Sequence, residues 1–199
     1  MEKPNARRLS LDEYLALEAV SADRLEYRDG FAVALAVPTG NHMRIASNLM
    51  ISLGALAQAR GCDISRGDAK VVTPKGDHVI PDLAITCDAR DKSALDDEGE
   101  AVIRHPWLVV EILSPATAVD DTTYKADVYQ SIPDLTHYVV IDSRRRAIRV
   151  YEKNDSGRLE SGPVDRLVLP NLIDRGLSID DIYRDTTVPR LHDIRLPGI

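Results

Sequence analysis

Two carboxylates stand where apolar side chains are expected. Glu111 is the only charged residue in Trp107-Leu108-Val109-Val110-Glu111-Ile112-Leu113, a run whose apolar content marks a buried strand. Asp82 lies at the centre of Val79-Ile80-Pro81-Asp82-Leu83-Ala84-Ile85-Thr86, a second short apolar run in which strand alternation gives it a definite face. An unpaired carboxylate in a sheet interior costs several kcal/mol, so each acid needs a hydrogen-bonding partner, a cation or a bound metal. Past Ser114-Pro115 a helical stretch carries Lys125. Two inward acids on neighbouring strands with a lysine nearby are the parts of a divalent-metal site for phosphodiester hydrolysis.

Each residue also has a plainer reading. Asp82 follows a proline and would equally shape a turn or bulge. Glu111 would serve as the ion partner of Arg104 or Arg149. A lone helix lysine such as Lys125 is ordinarily solvated. The three together are more specific than any one of them.

The segments Leu25-Glu26-Tyr27-Arg28-Asp29-Gly30, Asn41-His42, Ile80-Pro81-Asp82 and Val109-Val110-Glu111-Ile112-Leu113-Ser114-Pro115 resemble the Uma family of restriction endonucleases, a branch of the PD-(D/E)XK nuclease superfamily. Asp121, Lys125 and Tyr129, then His137 to Asp142 and Ile148 to Tyr151, follow in the order that family shows. The similarity runs from Leu9 to Tyr183, and Glu111 to Pro115 is its most specific part.

The resemblance implies an α/β restriction endonuclease-like fold, a mixed central β-sheet flanked by helices with additional β-hairpins, and a DNA endonuclease activity dependent on Mg2+ or Mn2+. It also carries one departure. The superfamily places its lysine two residues after the acid, where this chain has Leu113. In the Uma branch the lysine is taken to have moved to the following helix, which points to Lys125. Helical spacing puts Asp121, Lys125 and Tyr129 on one stripe beside an apolar stripe of Tyr124, Val128 and Ile132, with Lys125 at the margin of the packed face. By the same resemblance Glu26 adds an acid to the site and the main-chain carbonyl of Ile112 adds a metal ligand. Glu26 has an alternative as the partner of Arg24 or Arg28, and His42 one as a capping or packing residue at a helix start.

The chemistry expected of such a site follows from charge. Asp82 and Glu111 would repel each other until a hard, oxygen-preferring cation binds between them, hence magnesium or manganese. The ion polarises a phosphoryl oxygen and acidifies water, while Lys125 orients that water or stabilises the developing charge. An inactive nuclease-like binding or regulatory module is the competing function, since fold alone does not decide activity.

At 199 residues and 44% hydrophobic content the chain supports one sizeable core, so residues 1–199 are expected to form a single domain. A net charge of -7 argues against broad nonspecific affinity for nucleic acid. Arg144, Arg145 and Arg146 read as a solvated hairpin tip before a phosphate contact. Cys62 and Cys87 have neither metal-ligand nor CxxC spacing, which suits a reducing cytoplasm. Met1 to Ser10 lacks the apolar core of a secretory signal, and no run is long enough to span a membrane. A homodimer is expected of an enzyme that cuts both strands.

The elements that would position the site read in α/β order. Ser10-Leu11-Asp12-Glu13 is a capping box for a helix over 11–18. Leu25 to Val37, divided by Asp29-Gly30, is a hairpin with a type I′ turn. Asn41 caps a long helix with Ile45, Leu49, Leu53 and Leu56 on its core face, ending at Gly61. Strands follow at 64–72, 79–86 and 107–113, with a charged insertion at 88–104 whose Asp91, Asp96, Asp97, Glu98 and Glu100 read as solvated. After the Lys125 helix come strands at 137–142 and 147–151. The C-terminal part is less regular, with a last helical turn at 179–183.

Overall fold

The computed structural model describes residues 7–91, 101–114, 123–154, 156, 159–170 and 172–190. The first helix, α1 (Leu11–Glu18), opens with the reciprocal cap that its sequence predicts. Glu13 N donates to Ser10 Oγ at 3.2 Å, and Ser10 N donates to Glu13 Oε2 at 2.8 Å. Strands β1 (Leu25–Arg28) and β2 (Phe31–Ala34) form the expected hairpin. Its turn residues Asp29 and Gly30 have φ of 45° and 82°, the left-handed pair that a type I′ turn demands.

The long helix α2 (Gly40–Ala59) is capped two residues before Asn41, by Thr39, whose Oγ1 accepts from His42 N at 3.3 Å. Asn41 ties distant chain instead. Its side-chain oxygen accepts from Thr187 N and Thr187 Oγ1 at 3.0 and 3.1 Å, fastening the C-terminal segment to the first turn of α2. Gly61, with φ 68°, ends the helix as expected.

Two runs that read as single strands are each divided. The first gives β3 (Asp63–Ser65) and β4 (Lys70–Val72), separated by Gly67 at φ 62°. The second gives β5 (His78–Val79) and β6 (Leu83–Thr86), separated around Pro81, which has no N–H to offer a ladder. In both cases the halves enter different sheets. The chain continues through β7 (Val102–Ile103), β8 (Pro106–Leu113), α3 (Tyr124–Gln130), β9 (His137–Asp142), β10 (Ile148–Lys153), β11 (Leu159–Val164), β12 (Arg166–Leu169), β13 (Ile173–Ser178) and α4 (Ile179–Ile182).

The central sheet is mixed, ordered β11-β10-β9-β8-β6-β3, with β8 and β9 parallel and the other neighbours antiparallel. A second sheet, β2-β1-β5-β4-β7, carries the N-terminal hairpin, and β12 and β13 form a third. Alternation along β8 separates two apolar clusters. Leu108, Val110 and Ile112 join Ile45, Leu49 and Leu53 of α2 and Leu167 and Leu177 of the β12–β13 hairpin. Val109 and Leu113 join Tyr129, Ile132, Val71 and Val79. The last three strands were not legible as such, yet the leucines of β12 and β13 close the first cluster.

Cys62 and Cys87 are joined in a disulfide one step beyond the Asp63–Thr86 pair of β3 and β6. Their spacing along the chain gave no sign of this pairing, because the β3–β6 register is what brings the two residues together. No helix among the described residues is long and apolar enough to cross a membrane.

Candidate active site

Register brings the two acids together. Leu83 of β6 faces Val110 of β8, so the next antiparallel step sets Asp82 beside Glu111. Ile112 N donates to Asp82 Oδ2 at 2.7 Å and closes that step. Asp82 itself lies in the turn just before β6 and not at a strand centre, a consequence of Pro81 interrupting the ladder. Asp82 thus stands in a bend of the chain and, by register, beside Glu111.

Along β8, Glu111 shares a face with Val109 and Leu113, the face that α3 covers. Lys125 descends from α3 onto that face. Its Nζ lies 2.7 Å from Glu111 Oε1 and 3.3 Å from Glu26 Oε1. Tyr129, one turn further along, donates its hydroxyl to the same Glu111 oxygen at 2.7 Å. Side-chain exposure is 4% for Lys125 and for Glu111 and 0% for Glu26, so this ammonium is held by carboxylates and not by solvent.

The lysine thus sits within the packed face and not at its margin. The buried residues of α3 are Lys125, Val128 and Tyr129, while Tyr124 is half-buried and donates to Asp77 Oδ1 at 2.8 Å. Asp121, expected on the same stripe, and Pro115 lie outside the described residues.

Glu26, on β1, is both an ion partner and a member of the group. Ile80 N donates to its Oε1 at 2.7 Å, and Arg28, two residues along the same strand face, donates Nε to its Oε2 at 2.5 Å. A second guanidinium nitrogen of Arg28 also contacts that oxygen. Arg104 and Arg149, the partners considered for Glu111, are replaced by Lys125. Two carboxylates and two cations consequently balance within one buried cluster.

His42 was read as a helix-start residue, and its backbone N–H is indeed the one that Thr39 caps. Its side chain faces the site. The imidazole Nε2 lies 3.0 Å from Asp82 Oδ1. His42, Asp82, Glu111, Ile112 and Lys125 line one cavity of 330 Å³ together with Leu35, Val37 and Pro38. No spacing rule links His42 to Asp82; the sequence signal was the Asn41-His42 pair within the family resemblance.

Burial and the adjacent Glu111 carboxylate push the Tyr129 hydroxyl well above the ordinary tyrosine range, so it stays protonated and remains a donor. The sign of its contribution follows. A raised folded-state value favours the neutral form, so this stabilisation is complete below the unfolded tyrosine value of about 10 and is lost as pH climbs beyond it. In denaturant melts between pH 8 and 11, the stability advantage of the wild type over Tyr129→Phe is expected to shrink above about pH 10. A gap that stays constant across this range would show that the hydroxyl does not titrate differently in the folded chain.

Other charged groups resolve into structure. Asp91 is buried and not solvated, accepting from Thr86 Oγ1, Arg104 N and His105 N, which pins the end of the charged insertion. Asp96, Asp97, Glu98 and Glu100 lie outside the described residues. Arg144 and Arg145 both pair with Asp142, and Arg146 pairs with Asp180 at 2.5 Å. Burial works against ionisation of Asp142, but the Arg144 N–H and the two guanidinium groups outweigh it and hold the carboxyl below its usual range.

Among the described residues, no group of three or more His, Cys, Asp and Glu side chains is gathered for a metal ion. The donor chemistry at the cavity is nevertheless that of a hard cation. Asp82 and Glu111 offer carboxylate oxygens, and magnesium takes one or two carboxylates and completes its shell with water and substrate oxygens. The residues present therefore fit the ion that the resemblance implies.

The uncharacterized protein slr1290 of Synechocystis sp. (strain ATCC 27184 / PCC 6803 / Kazusa) is 33% identical over 183 residues, covering 89% of this chain and 92% of that protein. The uncharacterized protein sll1609 of the same organism is 25% identical over 146 residues, covering 73% and 81%. In fold, the chain is similar to a crystal structure from Anabaena variabilis ATCC 29413 described as "a putative nuclease belonging to DUF820", with a TM-score of 0.69 and 21% identity over 88% of this chain and 97% of that one. The fold is restriction endonuclease-like: a mixed central sheet flanked by helices. Residues 11–181 match the family described as "Uma2: Putative restriction endonuclease", and the chain belongs to that family.

Proposed function

We propose that this protein is a metal-dependent endonuclease that hydrolyses phosphodiester bonds in DNA, with Mg2+ or Mn2+ held by Asp82, Glu111 and the main-chain carbonyl of Ile112. The observation that carries this reading is the Lys125 ammonium 2.7 Å from Glu111 in a cavity shared with Asp82, an acid pair and a lysine assembled from three separate segments. The ion, when bound, supplies Lewis-acid polarisation of the phosphate and a more acidic water. Lys125 holds a positive charge beside the reacting group, where it orients the attacking water and stabilises the charge that develops on the phosphate. Glu26 fixes Lys125 and Arg28 from the opposite side, and Tyr129 fixes the Glu111 carboxylate. One such site cuts one strand, so cleavage of both strands calls for a twofold dimer or two binding events.

A second reading, a nuclease-like module with no activity, draws on the same geometry: Glu26, Arg28, Lys125 and Glu111 already neutralise one another. Thermal denaturation separates the two. Saturating Mn2+ is expected to stabilise the wild type, by about 2.7 kcal/mol at a hundredfold excess over Kd, and to leave Asp82→Asn unshifted. A wild type whose melting is the same in Mn2+, Mg2+ and chelator would favour the inactive module.

A further inference from the structure

We propose that His42 is a positioning residue for the metal, holding the Asp82 carboxylate in its ligating orientation from the first turn of α2. The inference rests on the metal reading above and adds to it a residue that the acid pair does not require. His42 Nε2 approaches Asp82 Oδ1 to 3.0 Å, within ion-pair range. Ile112 N donates to the other Asp82 oxygen. The imidazole contact comes from α2 and the hydrogen bond from β8, and together they restrain a carboxylate plane that is otherwise free to turn about its terminal torsion.

The restraint is needed because Asp82 lies in a turn and its side chain is 23% exposed, against 4% for Glu111. His42 is itself held. Its backbone N–H is bonded to Thr39, the neighbouring Asn41 is bonded to Thr187, and its ring is 13% exposed on the cavity wall. A packing histidine would have no reason to aim a nitrogen at the site's most exposed acid. A direct ligand would have to break its contact with Asp82, and the oxygen-preferring ions named here gain little from that exchange.

Removing a group that orients a metal ligand typically weakens metal affinity by about 10–100-fold. Mn2+ binding to the full chain without DNA, read from the free-ion electron paramagnetic resonance signal, tests this with wild type, His42→Ala and His42→Gln. The glutamine amide reaches the place of Nε2 and still donates, but it is not an imidazole. His42→Ala is expected to bind Mn2+ about 10–100-fold more weakly and His42→Gln to return close to the wild-type value. Melting in chelator accompanies each variant, and a fold intact in both assigns the loss to the site. Wild-type affinity in His42→Ala would overturn the role of His42 and leave the metal reading standing. A His42→Gln variant as weak as His42→Ala would show that the imidazole itself is required, which overturns positioning. A wild type that binds no Mn2+ removes the metal reading and this inference with it.

Discussion

Lys125→Ala is expected to abolish cleavage while retaining Mn2+ binding, and to destabilise the chain by about 3–5 kcal/mol in chelator, the usual cost of leaving a buried charge without its partner. Both effects come from the same place. Lys125 is the ammonium between Glu26 and Glu111, so its removal takes the shared cation from two buried carboxylates. For the chemistry, losing one preorganised group that stabilises transition-state charge costs about 10²–10³ in kcat. Binding of the ion depends on the acids and is expected to persist, so kcat falls while Mn2+ affinity holds. Lys125→Met, which keeps most of the stem volume without the charge, separates packing from electrostatics. Undiminished cleavage by Lys125→Ala would remove the lysine from the mechanism.

Glu111→Gln is expected to lose both Mn2+ stabilisation and cleavage, and to lower stability in chelator by about 3 kcal/mol. From the sequence, Glu111→Gln is expected to leave the metal-free fold intact or slightly stabilised, because two buried acids repel and neutralising one relieves them. The fold reverses that expectation by aiming Lys125 Nζ and Tyr129 OH at Glu111 Oε1. Glutamine can still accept from the tyrosine, but it takes from the ammonium the carboxylate that lies 2.7 Å away and removes one negative charge from the cluster. Denaturant midpoints in chelator give the sign directly, and a stabilised Glu111→Gln would mean that repulsion between the acids outweighs the Lys125 pair.

How much of this was legible depended on whether the determining physics was local. The cap at Ser10, the Asp29-Gly30 turn and the end of α2 at Gly61 are set within a few residues, and they lie where their sequence places them. The division of the two apolar runs was hidden because composition does not say where a strand leaves one sheet for another, although Pro81 and Gly67 mark both breaks in hindsight. The disulfide and the Asn41–Thr187 tie depend on partners far along the chain and left no periodic signal, while the β12–β13 hairpin is local but has a register shift between Leu167 and Leu169 that breaks its alternation. At the site, Glu111 was conspicuous for being charged in an apolar run. Lys125 was noted as a lysine downstream of the acids and given its role through the resemblance, since a helix lysine is ordinarily solvated and its burial becomes visible once α3 lies on the Glu111 face of β8. The partnership of His42 with Asp82 needed the three-dimensional approach of α2 to the turn before β6.

Supercoiled-plasmid cleavage, run with the wild type and Glu111→Gln in Mg2+, in Mn2+ and in chelator, tests the central claim most directly. The wild type is expected to nick and linearise the plasmid with either metal and to leave it intact in chelator, while Glu111→Gln leaves it intact throughout. Cleavage that survives Glu111→Gln, or a wild type inert with both metals, would contradict a metal-dependent nuclease centred on Asp82, Glu111 and Lys125.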